Sequence, residues 1–437
     1  MRNLYRGLIL ALLLLLPVEV VAADALQFYH TKTNTRTSAA SGVWTTYGSL
    51  TFTPTATADF FLIGFMSHES TNLAFATSRW QVDGVTQNDE GGNVGSVIPN
   101  GNAFMSTIVW KKNLDATSHT VRWQFKGVVA TVWAKAASFV ALEVPSGAFY
   151  AEKTTASCYV NSGVPVTKTF TATAQNYLVI YGGEELYDDE DDPQVQSPQL
   201  EMDGTDLLAD LSDEHGQQDI YHWTGGSAWK YLTAGSHTAR VQVVGGGSTF
   251  SDVCIKNMGL AIIPFDAFES TTTDSFTTKT TTTSTSFVDS NLSVSPTLTD
   301  GADYLVTMAY KSASTHASHA GEQEIVIDSV VYESGDQGRK DIDISTTGYM
   351  TSTAYGHTSG GGSETFKMRY RTTSAGIAAG VAQGYLLVAE IPTGAAGGST
   401  FQFIQVSWAR VPEFFTSSWA TDTFFGGSAY AAFPAPS

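Results

Sequence analysis

Ser118-His119-Thr120-Val121-Arg122-Trp123 returns as Ser236-His237-Thr238-Ala239-Arg240-Val241 and, eroded, as Ser363-Glu364-Thr365-Phe366-Lys367-Met368. The three serines stand 118 and 127 residues apart (236 − 118 and 363 − 236). Self-similarity at a long period decides the architecture before local propensity is consulted. Other landmarks keep step. Asp59-Phe60-Phe61-Leu62-Ile63 recurs as Asn176-Tyr177-Leu178-Val179-Ile180 and Asp303-Tyr304-Leu305-Val306-Thr307. Val82-Asp83-Gly84 recurs as Met202-Asp203-Gly204 and Ile327-Asp328-Ser329. Each copy closes on an apolar run ending at Pro145, Pro264 or Pro392. One order of landmarks, with loops of drifting length between them, means one module of domain size used three times.

Within a copy the apolar residues alternate or form short runs, and signals such as Asp83-Gly84, Gly91-Gly92 and Asn100-Gly101 separate them. No stretch sustains a helical period. Thr, Val, Ile and aromatics favour strands, and aromatics reach 12%. The expected fold is all-β: three tandem antiparallel β-sandwich, jelly-roll-like domains plus a short C-terminal β segment. The expected boundaries are 23–146, 147–265 and 266–392, then 393–437 as a linker and partial module. The Thr/Ser tract at 270–286 reads as a β-rich edge or a lead-in. The Thr-rich opening before Phe287-Val288-Asp289, the strand Asp303-Tyr304-Leu305-Val306, the pair Ile327-Asp328 and the closing Leu387-Val388-Ala389-Glu390-Ile391 resemble tandem jelly-roll-like modules of bacterial surface and fibre proteins and of phage tail or spike proteins. That resemblance implies an extracellular structural or binding role and carries over no catalytic residue.

Residues 1–22 read as a secretory signal peptide, with a basic start holding Arg2 and Arg6, a short apolar core and small residues near Ala22. No later stretch is apolar enough to span a membrane, so the expected location is extracellular. Formal net charge is −19, which argues against nucleic acid as a partner. Cys158 and Cys254 are the two cysteines, both in the second copy. A secreted chain permits their oxidation, and one disulfide is expected.

The densest charge is Glu184, Glu185, Asp188, Asp189, Glu190, Asp191 and Asp192. Carboxylates in a loop are what Ca²⁺ takes, although no EF-hand spacing occurs. The alternative is a solvated acidic loop. Calcium is therefore a candidate ligand and no cofactor is required. His316, His319, Glu322 and Glu324 hold metal-ligating types with poor strand geometry for zinc. Ser67-His68-Glu69 has triad letters, but triad members meet in space rather than in sequence. Asp83, Asp203 and Asp328 read as turn residues, and Arg122, Arg240 and Lys367 as residues pairing on a strand face. Trp44, Trp80, Trp110, Trp133, Trp223, Trp229, Trp408 and Trp419 could stack sugars or fill cores.

The tail carries Phe401-Gln402-Phe403-Ile404-Gln405, an echo of Leu26-Gln27-Phe28-Tyr29-His30. Phe401, Phe403, Ile404, Val406 and Trp408 form its expected assembly strand, with Ile404, Val406 and Trp408 on one face. Three outcomes are open for it: packing on the third module, a stub, or strand addition to a neighbouring copy. The functional expectation is a secreted structural protein of a fibre or surface assembly, not an enzyme, which associates with itself or with other surface proteins. The alternative is an adhesion array binding glycan, with or without calcium. A hydrolase is the third reading.

Overall fold

The computed structural model describes residues 26–392 apart from 34, 71–74, 88–92, 96–104, 128–130, 161, 188–198, 209–220, 245–251, 315–320, 328–329, 338–348 and 373. All of these fall in one compact unit within residues 1–399. Residues 1–25 and 393–437 lie outside the described set.

The first copy builds β1 (Phe28–Thr33), β2 (Thr37–Ala39), β3 (Thr45–Phe52), β4 (Ala58–Ser70), β5 (Phe75–Val82), β6 (Val85–Thr86), β7 (Asn93–Gly95), β8 (Met105–Leu114), β9 (His119–Gly127) and β10 (Val132–Glu143). The second builds β11 (Phe149–Lys153), β12 (Ser157–Val160), β13 (Ser162–Ala172), β14 (Gln175–Tyr187), β15 (Gln199–Met202), β16 (Thr205–Leu208), β17 (Tyr221–Leu232), β18 (Gly235–Val244) and β19 (Asp252–Pro264). The third builds β20 (Ser270–Phe276), β21 (Thr280–Thr282), β22 (Val288–Val294), β23 (Thr297–Leu298), β24 (Asp303–Ser314), β25 (Gly321–Ile327), β26 (Val330–Gln337), β27 (Tyr349–Thr358), β28 (Gly362–Ser363), β29 (Phe366–Thr372) and β30 (Ala379–Glu390). A single 3₁₀ turn, Phe265–Ala267, is the one helical element among the described residues.

Each copy winds the same way. In the first, the sheet β1-β10-β4-β8 lies over β3-β9-β5-β6. In the second, β11-β19-β14-β17 lies over β13-β18-β15-β16. In the third, β20-β30-β24-β27 lies over β22-β29-β25-β26. The first and last strands of a copy are neighbours and the chain crosses repeatedly between two sheets, which is the jelly roll. The Thr/Ser tract supplies β20 and β21, both paired with β30 as a sheet edge. Cys158 on β12 stands opposite Cys254 on β19, and the two form a disulfide.

The two sheets of a copy differ in how their strands read. In β9, His119, Val121, Trp123 and Phe125 are buried and Thr120, Arg122, Gln124 and Lys126 are not. β29 alternates in the same way. That is a sheet with one face in a core and one in water. The strands β4 and β14 instead carry unbroken apolar runs, and β24 one interrupted only by the buried Thr307, as strands buried on both faces do. Phe60 and Leu62 pack inside their own sandwich, whereas Phe61 and Ile63 point the other way. Tyr177 and Val179 divide from Leu178 and Ile180 likewise, and Tyr304 and Val306 from Leu305.

The outward set meets in a fourth core shared by all three copies, including Phe61, Val140, Leu178, Ile263, Leu305 and Leu387. The copies are therefore not independent beads. The strand β8 lies on β14, β17 and β19 of the second copy. In turn β17 lies on β24, β27 and β30 of the third, and β27 on β1, β4, β8 and β10 of the first. One head-to-tail contact is made three times and closes on itself, as in a cyclic trimer built from a single chain.

Candidate functional site: the module seams and the clamped turns

The register identifies what stands where the three copies meet. Phe65, Gly182 and Ala309 lie four residues after Phe61, Leu178 and Leu305. Their cross-strand partners are Thr107, Gly225 and Ser352. These equivalent residues, on β8, β17 and β27, converge. The Ser352 hydroxyl accepts the Thr107 amide at 2.9 Å and donates to the Gly225 carbonyl at 2.8 Å. A Cβ on Gly225 would sit 1.8 Å from the Thr107 carbonyl oxygen, so only glycine allows that approach.

Around this point each seam carries its own interlock. Trp223 of the second copy enters the first, donating from Nε1 to Ser78 Oγ at 2.7 Å and meeting Trp110 and Trp123 edge-on. Tyr385 of the third copy packs on the second copy's core and meets Trp229 edge-on. The Ser138 hydroxyl of the first donates to the Ala354 carbonyl of the third. The indoles of Trp80, Trp110 and Trp223 are thereby committed to packing. Trp44 lies under Arg79 and Lys126, and Trp133 under Arg36, so these rings meet cations. Trp408 and Trp419 lie outside the described residues.

The repeated His and Asp landmarks join in space. Asp83 and Gly84 both adopt positive φ, as do Asp203 and Gly204, giving two-residue hairpin turns. Asp83 Oδ1 accepts the Thr120 amide at 2.7 Å and Oδ2 meets His119 Nδ1 at 2.7 Å. Asp203 repeats this with Thr238 at 2.8 Å and His237 at 2.6 Å. Each imidazole presents Nε2 to a carbonyl, Asp115 at 3.1 Å and Thr233 at 2.8 Å. Acceptors at both nitrogens favour the doubly protonated ring, because a neutral imidazole can donate to only one of them. At His119 burial pulls the pKa down, but the Asp83 hydrogen bond and the Asp115 carbonyl outweigh it and the net shift is upward. At His237 the Asp203 bond leads, and the pKa is raised. Each pair clamps its hairpin turn to the neighbouring strand. The aspartates thus bond a neighbouring strand rather than only their own turn. Asp328 lies outside the described residues.

The remaining candidates fall as follows. Glu184 and Glu185 are consecutive, buried residues of β14, and Glu184 accepts from Asn257 Nδ2 at 2.7 Å. Strand geometry sends neighbours to opposite faces, so these two do not converge on one ion. Asp188, Asp189, Glu190, Asp191 and Asp192 lie outside the described residues. His316 and His319 do too, while Glu324 is buried on β25 and ion-paired with Arg369. Ser67, His68 and Glu69 are consecutive in β4. Arg240 pairs with Glu201 at 3.3 Å and Lys367 with Asp289 at 2.9 Å, while Arg122 is exposed. The assembly residues Phe401, Phe403, Ile404, Val406 and Trp408 lie outside the described residues. Among the described residues no helix is long and apolar enough to cross a membrane.

No protein-family model matches the chain, and no curated protein matches it. Solved structures overlap it loosely. One, described as the triple jelly roll fold and turret assembly in an archaeal virus, is 11% identical, covering 84% of this chain and 91% of that one at a TM-score of 0.20. Another, of Sulfolobus turreted icosahedral virus, is 10% identical, with coverage of 83% and 92% and a TM-score of 0.21. A third, of the Gt strain of infectious bursal disease virus, is 9% identical, with coverage of 87% and 84% and a TM-score of 0.22. None of these three is a bacterial fibre protein. The likeness concerns the jelly-roll scaffold alone.

Proposed function

We propose that this chain is a structural building block of an extracellular assembly, a ready-made trimer of jelly rolls that is linked to further copies by its C-terminal segment. The closed cycle of module contacts carries this reading. A head-to-tail contact that closes inside one chain cannot extend a filament, so assembly needs another connector. Phe401-Gln402-Phe403-Ile404-Gln405 echoes the opening-strand sequence Leu26-Gln27-Phe28-Tyr29-His30. In each copy the opening strand runs along the closing strand at a sheet edge, as β1 does on β10. A strand of that sequence laid along the closing strand of a neighbouring copy would join the two by strand addition. The many buried side chains at the seams support a role in which rigidity matters more than turnover.

The test is deletion of 394–437 with light scattering of the secreted protein. The full chain should form species larger than a monomer, and the truncated one should not. A full-length monomer at high concentration, or a truncated chain that still assembles, overturns the reading.

A further inference from the structure

The outer sheets of the three copies share one irregularity. Their edge strands β3, β13 and β22 each bulge just before they come opposite Arg122, Arg240 and Lys367. In β3 the bulge is Tyr47, between Thr46 and Gly48. In β13 it is Val164 and Pro165, between Gly163 and Val166. In β22 it is Ser290, Asn291 and Leu292, between Asp289 and Ser293. An edge strand offers unpaired backbone to any other sheet, and a bulge or a proline blunts that edge. The first copy buries its bulged side chain, Tyr47, and the second places Pro165 there. The third has the longest bulge and a different residue. Leu292 is fully buried in the core of that copy, whereas Asn291 and Ser293 on either side of it are exposed. Ser290 Oγ accepts the Leu292 amide at 3.1 Å, and Asp274 of β20 accepts the Ser293 amide at 2.8 Å. The bulge is thereby fixed by Leu292 and its neighbours. The Asn291 side chain makes no hydrogen bond among the described residues.

We infer that Asn291 is a glycosylation site, where an N-linked saccharide covers the outer-sheet edge of the third copy. Asn291-Leu292-Ser293 is an Asn-x-Ser acceptor triplet. Of the twelve asparagines in the chain, Asn291 alone has Ser or Thr two positions on. The one acceptor asparagine thus stands on an edge bulge with its side chain in solvent. Residues 290–292 have no cross-strand partner, so a saccharide here disturbs no ladder pairing. It also lies clear of the seams, which are built by the inner sheets such as β20-β30-β24-β27. In the transfer, Asn291 Nδ2 bonds to C1 of the first sugar and gives up one proton. The bond that breaks joins that carbon to phosphate in a polyprenyl-diphosphate-linked saccharide, and the lipid diphosphate leaves. The product is bulky and hydrated, which bars a second sheet from β22 as Pro165 does from β13. The inference rests on the extracellular reading above, because the saccharide is added on the export route, and it is independent of the tail.

Peptide mass spectrometry of the full chain, secreted by its native cells, tests this. Trypsin cuts after Lys279 and Lys311, so residues 280–311 form the peptide to weigh. It should be heavier than its sequence by the mass of a saccharide, with fragment ions placing the addition on Asn291. Asn291→Gln and Ser293→Ala should each return it to the sequence mass, and Ser293→Thr should keep the addition. A bare peptide in the secreted wild-type chain overturns the inference and leaves the assembly reading to light scattering. An addition that survives Asn291→Gln lies on one of the peptide's hydroxyls and overturns it as well. A chain that is never exported overturns this inference together with the extracellular reading.

Discussion

Gly225→Ala is the sharpest perturbation the shared core offers. The added methyl would lie 1.8 Å from the Thr107 carbonyl oxygen and 2.8 Å from that of Tyr181. Both obstacles are backbone, so no rotamer change relieves them. Restoring a contact of 3.0 Å requires β8 and β17 to separate by 1.2 Å (3.0 − 1.8). Overpacking of this kind costs about 1–3 kcal/mol, and here the movement also strains the Ser352 hydrogen bond to Gly225, worth about 1 kcal/mol. A less flexible unfolded chain returns about 0.5–1 kcal/mol. The net expectation is a loss of roughly 2 kcal/mol. Equilibrium unfolding in urea, followed by tryptophan fluorescence, measures it, because Trp110, Trp123 and Trp223 straddle the seam that must open. Gly360→Ala is the control, since nothing lies within 4 Å of its would-be Cβ. A Gly225→Ala chain within about 0.5 kcal/mol of wild type, the scatter of ordinary surface changes, would refute the close-approach argument.

Ser352→Ala should cost about 2–4 kcal/mol, because it strands the buried Thr107 amide and Gly225 carbonyl, and urea unfolding reads it directly. His119→Gln should destabilise more at pH 6 than at pH 9. A raised histidine pKa gives stability that is full below about 6.5 and lost as pH rises through the folded value, so equal losses at both pH values would remove the clamp's charge from the account. Cys158 and Cys254 should resist alkylation until reduced, and their joint replacement by serine should cost about 4 kcal/mol for a loop of 96 residues, checked by thermal unfolding.

Two histidine clamps were half legible in the sequence. His119 and Asp83 belong to landmarks that recur together, and so do His237 and Asp203. What spacing could not supply was their meeting, which depends on β9 pairing with β5 and β18 with β15. In the third copy Glu364 stands in the histidine's place and turns instead to His357. Glu184 and Glu185 misled for a related reason. They head a run of carboxylates that reads as a loop, yet β14 extends through them and buries both.

The order of the landmarks, the strand-rich composition and the turn residues determined three jelly rolls, because each is a local property that a chain expresses wherever it folds. The unbroken runs Phe60-Phe61-Leu62-Ile63 and Tyr177-Leu178-Val179-Ile180 already announced strands covered on both sides. They did not name the second cover. Apolar surface is removed from water equally well by any apolar partner, so burial has no direction until shapes meet. Only the tertiary structure decided that the three copies cover one another, because that choice rests on Gly225, Ser352 and Thr107 fitting at one point, a matter of ångströms between residues more than a hundred positions apart.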